Sequence, residues 1–240
     1  MRFQLRGPRR RAVRPLAVAA VTVLAVFSFA AAKSPGVETA AAAPTGFDDR
    51  LLTSVELPTA LAFTPDGRLL IATKPGKLRV YANGALLTAS ALDITAKVCS
   101  NSERGLLGVA VDPGFAANRS IFVYYTFNKF GNCGSTTANR PVNRISRFTL
   151  SDTNVVDPAS ETVLIDNIPS WNGNHNAGDL QFGKDGLLYV TVGDGGCDYA
   201  GNSGCAGSND AARDRHVLLG KVLCITRTGA NSSRQSVPGS

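Results

Sequence analysis

The sequence predicts an all-β fold of the β-propeller type, and three observations support this. Short segments in which apolar and polar residues alternate follow one another from Leu57 onward, without the pattern of a long amphipathic helix. The phrase LAFTPDGRL, starting at Leu61, recurs as LQFGKDGLL, starting at Leu180. Its part AFTP, starting at Ala62, matches AVDP, starting at Ala110, at an offset of 48 residues (110 − 62). An offset of about 40–50 residues is typical of one propeller blade, whereas a β-sandwich is not expected to repeat one phrase.

Turn signals separate the first strands. The dipeptide Asp66-Gly67 lies between two alternating segments, which is the strongest short hairpin signal in a sequence. A Lys-Pro-Gly turn at residues 74–76 then starts a third strand from Lys77 to Tyr81, and Asn83-Gly84 turns the chain again.

Later segments repeat this plan. Residues 105–125 predict two strands joined by a longer loop, and Arg144 to Leu150 pairs with Glu161 to Ile165. A second Asp-Gly hairpin turns at residues 185–186 and is followed by the apolar segment HVLLGKVLCITR. The segment from Asp210 to Leu219 is compatible with a short helix.

Residues 1–43 have the three parts of an export signal. Arginines come first, an uncharged apolar run from Leu16 to Ala32 follows, and small residues then offer cleavage points after Ala32 or within residues 40–43. The run has 17 residues (32 − 16 + 1), at the short limit for a transmembrane helix of about 20 residues. We therefore favour a cleaved signal peptide over an uncleaved anchor, and predict a secreted, cell-envelope or periplasmic protein without a stable membrane span after cleavage.

The positive charge is concentrated in this leader. The chain has a net charge of +7, and residues 1–43 contribute +6, which leaves +1 for the remainder (7 − 6). The body is nearly neutral, so no nucleic-acid partner is expected. We predict three regions: a signal peptide and linker at 1–43, a partial β-propeller at 44–229, and a disordered polar tail at 230–240.

The five cysteines are interpreted in the light of export, because disulfides form outside the cytosol. Cys197 and Cys205 lie close together in a Gly/Ser/Asn-rich loop and are expected to pair. Cys99 and Cys133 could form a second bridge between two loops. Cys224 lies in an apolar segment and is interpreted as a small hydrophobic residue. The spacings do not fit a zinc site.

His175 and Asp194 flank the second Asp-Gly hairpin. His175, one of only two histidines, precedes the first strand, and Asp194 follows the second. Because the chain goes out along one strand and returns along the next, both residues lie at the same end of the hairpin. A carboxylate on one imidazole nitrogen leaves the other nitrogen free to accept a proton, so this pair predicts an oriented general base.

Three ordered blocks cover nearly the whole body, from Leu57 to about Gly229. They read LAFTPDGRLLIATKPGKLRV, then ERGLLGVAVDPGFAANRSIFVYYT, then NHNAGDLQFGKDGLLYVTVGDGG with its continuation LLGKVLCITRTG. In order and spacing they resemble the glucose/sorbosone dehydrogenase family, soluble quinoproteins that use pyrroloquinoline quinone (PQQ). The resemblance implies a six-bladed β-propeller, the cofactors PQQ and Ca²⁺, a sugar as substrate and a separate electron acceptor.

The resemblance also implies roles for three residues. His175 stands where the family has its catalytic base, which removes the proton of the sugar's anomeric hydroxyl while hydride passes to the quinone. Asp194 matches the aspartate that holds this histidine. Glu103 stands where the glucose enzymes have a cofactor-binding Gln, although a carboxylate is a worse partner than an amide for an anionic quinone.

Other candidate residues have competing interpretations. Trp171 could stack on a sugar or the cofactor, but we favour a loop residue packed on a blade edge. His216 is interpreted as a structural histidine. The loop after Asp194 lacks EF-hand spacing, so we favour a solvated, disulfide-closed loop over a calcium site and assign no metal ligands. The oxygen ligands that it offers are Asp198, Asn202, Asn209 and Asp210.

The body is short for the family. Residues 44–240 number 197 (240 − 43), about four blades at roughly 45–50 residues each, whereas the resemblance implies six. The side chains that clamp the quinone and most Ca²⁺ ligands would lie beyond this chain. We therefore expect a C-terminally truncated member, whose two uncovered blade faces make it poorly soluble alone or pair it with another chain.

The main functional hypothesis is an exported, PQQ-dependent aldose dehydrogenase-like protein. The alternative is a non-catalytic propeller that binds a carbohydrate or a protein, favoured by the missing cofactor clamp. A third hypothesis is a Ca²⁺-dependent hydrolase or lactonase on a similar propeller.

Overall fold

The computed structural model describes residues 44–134, 140–196, 211–212 and 214–230. The chain divides into two units, residues 1–49 and 50–240. In the first unit only residues 44–49 are described, and they form no helix or strand. The predicted signal peptide and nearly all of the predicted tail lie outside the described residues. No helix in the described part of the chain is long and apolar enough to span a membrane.

The second unit contains three antiparallel sheets in its described residues. Sheet 1 is formed by β1 (Pro58–Phe63), β2 (Leu69–Thr73), β3 (Lys77–Ala82), β4 (Ala85–Leu86) and β5 (Leu92–Asp93). Sheet 2 is formed by β6 (Leu106–Val111), β7 (Ser120–Phe127), β8 (Val142–Thr149) and β9 (Thr162–Pro169). Sheet 3 is formed by β10 (Ala177–Phe182), β11 (Leu188–Val192) and β12 (Lys221–Ile225).

The predicted all-β class is therefore confirmed, with three sheets in the described residues where chain length suggested about four blades. Sheet 2 alone extends over residues 106–169. The remaining elements are a single helical turn and two 3₁₀ turns. They are α1 (Phe115–Asn118), Thr95–Lys97 and Pro158–Ser160.

Both predicted Asp-Gly hairpins form. In the first, the Gly67 amide donates to the carbonyl of Thr64 (2.9 Å), and Gly67 has φ +86°. In the second, the Gly186 amide donates to the carbonyl of Gly183 (2.9 Å), and Gly186 has φ +76°. Each connection is thus a turn followed by a left-handed glycine, a conformation that costs a residue with a side chain about 1–2 kcal/mol.

Two local expectations differ from the structure. The short helix expected within residues 210–219 is wrong for the described residues there, 211–212 and 214–219, which form turns and bends. The helical turn α1 was not expected, because it is too short to show a 3.6-residue pattern. It places Phe115, 1% exposed, in the core.

Strand β7 is buried along nearly its whole length because it packs against a neighbouring sheet on each face. Side chains of β7 alternate between the two faces. Ile121, Val123 and Tyr125 pack in the core shared with sheet 1, whereas Phe122 and Tyr124 pack in the core shared with sheet 3. This two-sided burial explains why the strand is a continuous apolar run rather than an alternating one.

The outer faces of the row of sheets carry exposed apolar side chains. Leu61 and Phe63 of β1 are 60% and 70% exposed, although Leu180, which holds the matching place in the repeated phrase, is 1% exposed. Val222 of β12 is 55% exposed. Sheets 1 and 3 each pack against sheet 2 on one face, and exposed apolar side chains remain on β1 and β12.

The first strands of the three sheets lie side by side, with β6 between β1 and β10. Gly108 of β6 and Gly178 of β10 approach each other closely. A Cβ atom on Gly108 would lie 1.9 Å from the carbonyl oxygen of Gly178, and one on Gly178 would lie 2.6 Å from the Tyr124 ring. The contact between sheets 2 and 3 therefore requires glycine at both positions.

We predict that Gly108→Ala destabilises the protein by about 1–3 kcal/mol, because the added methyl group pushes β6 and β10 apart. Gly134→Ala is the matched control, since the atoms near its Cβ position belong to the side chain of Asn132. Urea unfolding of both variants measures the difference. Equal stability of the two variants would contradict the close approach.

A buried carboxylate joins the strands of sheet 2. Glu161, with a side chain 11% exposed, accepts hydrogen bonds from Tyr125 Oη (2.5 Å), Ser146 Oγ (2.8 Å) and Lys97 Nζ (3.1 Å). Burial alone would raise the pKa of Glu161, but these hydrogen bonds outweigh it and lower the pKa below its ordinary value. Ionised Glu161 therefore stabilises the fold above the unfolded-state pKa of about 4.3.

Glu161→Gln should lose this contribution. We expect the wild-type chain to exceed the variant in free energy of unfolding by about 1–3 kcal/mol near pH 7, and the difference to shrink as the pH falls below about 4. Unfolding curves at several pH values measure it, with the exposed Glu56→Gln as control. A difference that does not change with pH would refute the role of the ionised carboxylate.

Candidate active site

Two loops meet at one edge of sheet 3. Residues 170–176, here called the site loop, join β9 to β10, and residues 193–196 follow β11. In the register of the hairpin, Ala177 lies opposite Val192. His175 precedes Ala177 by two residues, and Asp194 follows Val192 by two residues. The pairing of β10 with β11 therefore brings His175 and Asp194 to the same edge of sheet 3.

The side chains of His175 and Asp194 are in direct contact. Nδ1 of His175 lies 2.9 Å from Oδ1 of Asp194, and the side chains are 47% and 25% exposed. The same carboxylate oxygen accepts a hydrogen bond from the amide of Gly196 (2.9 Å). An ionised carboxylate only accepts hydrogen bonds, so it favours the tautomer with the proton on Nδ1 and leaves Nε2 able to accept a proton.

The backbone of His175 has an unusual conformation. Its φ is +50°, in the left-handed region that few residues other than glycine adopt. Its amide donates to Oε2 of Glu103 (2.7 Å), and its carbonyl accepts from the amide of Gly195 (3.2 Å). A Cβ atom on Gly193 would lie 1.8 Å from this carbonyl oxygen. The ring is therefore held through its backbone as well as through Asp194.

A layer of buried polar groups lies beside the histidine. Asn176, 3% exposed, accepts hydrogen bonds from Asn143 Nδ2 (3.0 Å) and Ser170 Oγ (2.7 Å), and it donates to the carbonyl of Gly173 (3.0 Å). Tyr124 Oη donates to the carbonyl of Asn176 (3.1 Å). Burial raises the pKa of Tyr124 well above its ordinary range, so the hydroxyl remains a donor.

Arg104 is buried beneath the start of the site loop and is 0% exposed. Its Nε donates to Ser170 Oγ (3.1 Å), and its Nη2 donates to the carbonyls of Ser170 (2.5 Å) and Trp171 (3.3 Å). Its Nη1 donates to the carbonyl of Cys133 (2.8 Å). Sequence analysis missed the roles of Arg104 and Asn176. The one available signal was a charged residue directly before a buried strand.

The disulfide between Cys99 and Cys133, expected from the sequence, is confirmed, with an S–S distance of 2.00 Å. It fixes the loop that contacts Arg104. Cys224 is half-buried in β12, opposite Tyr189. The second expected pair, Cys197 with Cys205, lies outside the described residues.

Trp171 and His216 lie at the surface. Trp171 is 40% exposed, and the guanidinium carbon of Arg140 lies 5.7 Å from its ring centroid. This distance fits a cation–π contact. The side chain of His216 is 94% exposed and contacts Asp214, with 3.0 Å between Nδ1 and Oδ1. Among the described residues, the contact of the His216 ring is therefore a local one.

Within the described residues, no group of three or more His, Cys, Asp or Glu residues could hold a metal ion. The four oxygen ligands considered from the sequence, at positions 198, 202, 209 and 210, lie outside these residues.

Successive antiparallel sheets with neighbouring first strands, and an imidazole oriented by a carboxylate at one edge, define a class of protein. This is the β-propeller class, here with a histidine–aspartate pair at one sheet edge.

The family model "Glucose / Sorbosone dehydrogenase" matches residues 55–238, and the chain belongs to this family. It is 29% identical over 173 residues to the aldose sugar dehydrogenase YliI of Escherichia coli K12, covering 72% of this chain and 42% of that protein. The structure of a PQQ-bound aldose sugar dehydrogenase from Streptomyces coelicolor matches with a TM-score of 0.62 and 25% identity, covering 80% of this chain and 51% of that one. The predicted quinoprotein-type β-propeller fold is thus confirmed.

A further relative is named for an interaction rather than for an enzymatic activity. The chain is 30% identical over 154 residues to the Hedgehog-interacting protein of Mus musculus, covering 60% of this chain and 22% of that protein. This chain therefore spans 51% or less of the length of each of these three proteins.

We predict that Asp194→Asn shifts neutral His175 toward the tautomer with the proton on Nε2, because an amide no longer requires a donor on Nδ1. Nitrogen-15 chemical shifts of the two ring nitrogens measure this tautomer ratio in labelled protein. Asp214→Asn, beside His216, is the matched control and should leave His175 unchanged. An unchanged ratio in Asp194→Asn would show that the carboxylate does not set the tautomer.

Proposed function

We propose that the chain forms the proton-accepting part of a PQQ-dependent sugar dehydrogenase site. The observation that carries this proposal is the 2.9 Å contact between His175 Nδ1 and Asp194 Oδ1. It leaves Nε2, on a half-exposed ring, available to a substrate hydroxyl. Membership of the glucose/sorbosone dehydrogenase family supports an aldose as substrate.

Two residues of the described structure fit the chemistry of one of the two implied cofactors. PQQ is planar and anionic, and the half-exposed ring of Trp171 with the Arg140 guanidinium beside it fits a planar anion. These two residues would hold the quinone. For Ca²⁺ no matching cluster of acidic residues lies within the described part of the chain, so no step is assigned to calcium.

The reaction proposed is the oxidation of a sugar at its anomeric carbon. Nε2 of His175 takes the proton of the anomeric hydroxyl, and the C–H electron pair leaves the carbon as hydride. When bound, PQQ supplies the two-electron acceptor for that hydride. Asp194 holds the ring and stabilises the imidazolium that forms. The product is a lactone, and the electrons continue to a separate acceptor.

Export is part of the proposal. The basic, apolar and small-residue pattern of residues 1–43 supports a signal peptide. The Cys99–Cys133 disulfide supports an oxidising compartment, such as the periplasm or the cell exterior. The sugar would then be bound and oxidised outside the cytosol.

A non-catalytic binding propeller is the second candidate. It is supported by the relative named Hedgehog-interacting protein. It is also supported by Glu103, whose carboxylate already binds the His175 amide. Retained binding of a glycan or a protein, together with no binding of PQQ, would decide for this candidate.

We expect His175→Ala to lower aldose-dependent dye reduction, in the presence of PQQ and Ca²⁺, by at least about 100-fold, since general bases contribute roughly 10²–10⁴-fold. His216→Ala, which removes the other histidine, should retain full activity. Steady-state rates with both variants measure the effect. Full activity of His175→Ala would remove the histidine from the proposed role.

A further inference from the structure

The site loop is held by two consecutive residues that differ in exposure. Glu103 is exposed at the surface, and Arg104 is fully buried. Both directly precede Gly105 and the strand β6. We propose that Glu103 and Arg104, here called the loop clamp, are positioning residues that fix the site loop so that His175 reaches Asp194. The catalytic importance of this inference rests on the proposed function. The claim that these residues hold the loop and the imidazole in place does not.

Glu103 holds the end of the site loop that carries the histidine. Its Oε2 accepts from the amide of His175 (2.7 Å), and its own amide donates to the carbonyl of Gly173 (2.9 Å). A hydrogen bond to a charged carboxylate is stronger than one between neutral groups. Residue 103 thus binds the loop at two points, and one of them is the catalytic candidate itself.

The backbone of the loop needs such an anchor. His175 in the loop has φ +50°, and Ala177 at the start of β10 has φ +52°, a left-handed conformation that is strained for residues other than glycine. A segment with two strained residues keeps this shape only when its surroundings determine it. The hydrogen bond that Glu103 accepts from the His175 amide holds the residue that carries both the strained backbone and the imidazole.

Arg104 holds the other end of the loop. Three of its hydrogen bonds go to Ser170 and Trp171 at the start of the loop, and a fourth goes to the carbonyl of Cys133 beside the disulfide. A Cβ atom on Gly173 would lie 3.2 Å from the guanidinium carbon of Arg104. The planar guanidinium donates in several directions at once, which a lysine cannot do.

The same geometry gives Glu103 a different role from the cofactor contact that the family resemblance implies. Its carboxylate is engaged with the protein backbone of the loop, and the charge that disfavours an anionic quinone strengthens the bond to His175. An amide in its place could still accept from the His175 amide. Glutamine is therefore the conservative variant, and alanine is the disruptive one.

The test uses the purified chain without cofactor, so its result does not depend on activity. Hydrogen exchange of the His175 amide and the ring-nitrogen shifts of His175 are followed by NMR in Glu103→Ala and Glu103→Gln. We expect Glu103→Ala to speed exchange at His175 by at least about tenfold and to lower the Nδ1–H tautomer fraction. We expect Glu103→Gln to keep most of the exchange protection and most of the Nδ1–H tautomer fraction. The exposed Glu56→Ala should change neither quantity.

Arg104→Lys provides the second variant, because it keeps the charge but loses the planar set of donors. It should weaken exchange protection in residues 170–176 while the Cys99–Cys133 disulfide remains formed. If Arg104→Lys does not fold, the Glu103 variants decide alone. Unchanged exchange and an unchanged tautomer in Glu103→Ala would overturn the proposal, even if the chain proves to be an active dehydrogenase. If Glu103→Ala loses the exchange protection and the Nδ1–H tautomer preference while the wild-type chain shows no dehydrogenase activity, the result supports the loop clamp and counts only against the proposed function.

Discussion

The pairing of β10 with β11 is the constraint on which the site depends. Its register places Ala177 opposite Val192, so the residues just outside the two strands meet at one edge of sheet 3. A shift of one residue would turn every side chain of one strand to the other face of the sheet. The buried side chains Leu180, Leu188 and Val190 prevent that shift, because they face the core shared with sheet 2. The apolar core and the polar site are thus set by one register.

Sheet 2 packs between sheets 1 and 3 and so connects the site to the rest of the described structure. Its strand β7 supplies side chains to the cores on both faces, and Tyr124 connects one of those cores to Asn176 beside the histidine. The close backbone approach at Gly108 and Gly178 sets how near sheet 3 can come. The position of the candidate base therefore depends on packing between sheets as well as on its own loop.

The sequence predicted the features that are local or that follow from strand alternation. The Asp-Gly hairpins are encoded within a few residues, and hairpin geometry places His175 and Asp194 at the same end of the hairpin. Arg104 could not be assigned in this way, because its acceptors Cys133 and Ser170 are 29 and 66 positions away in loops of unpredictable path.

The central claim is that His175 is held by Asp194 on one ring nitrogen and presents the other to a substrate. A crystal structure of the chain at a resolution that defines the imidazole plane tests it most directly. We predict a distance near 2.9 Å between Nδ1 of His175 and Oδ1 of Asp194, with Nε2 facing the open side of the site loop. An imidazole turned away from Asp194, or the two side chains on opposite sides of sheet 3, would contradict it.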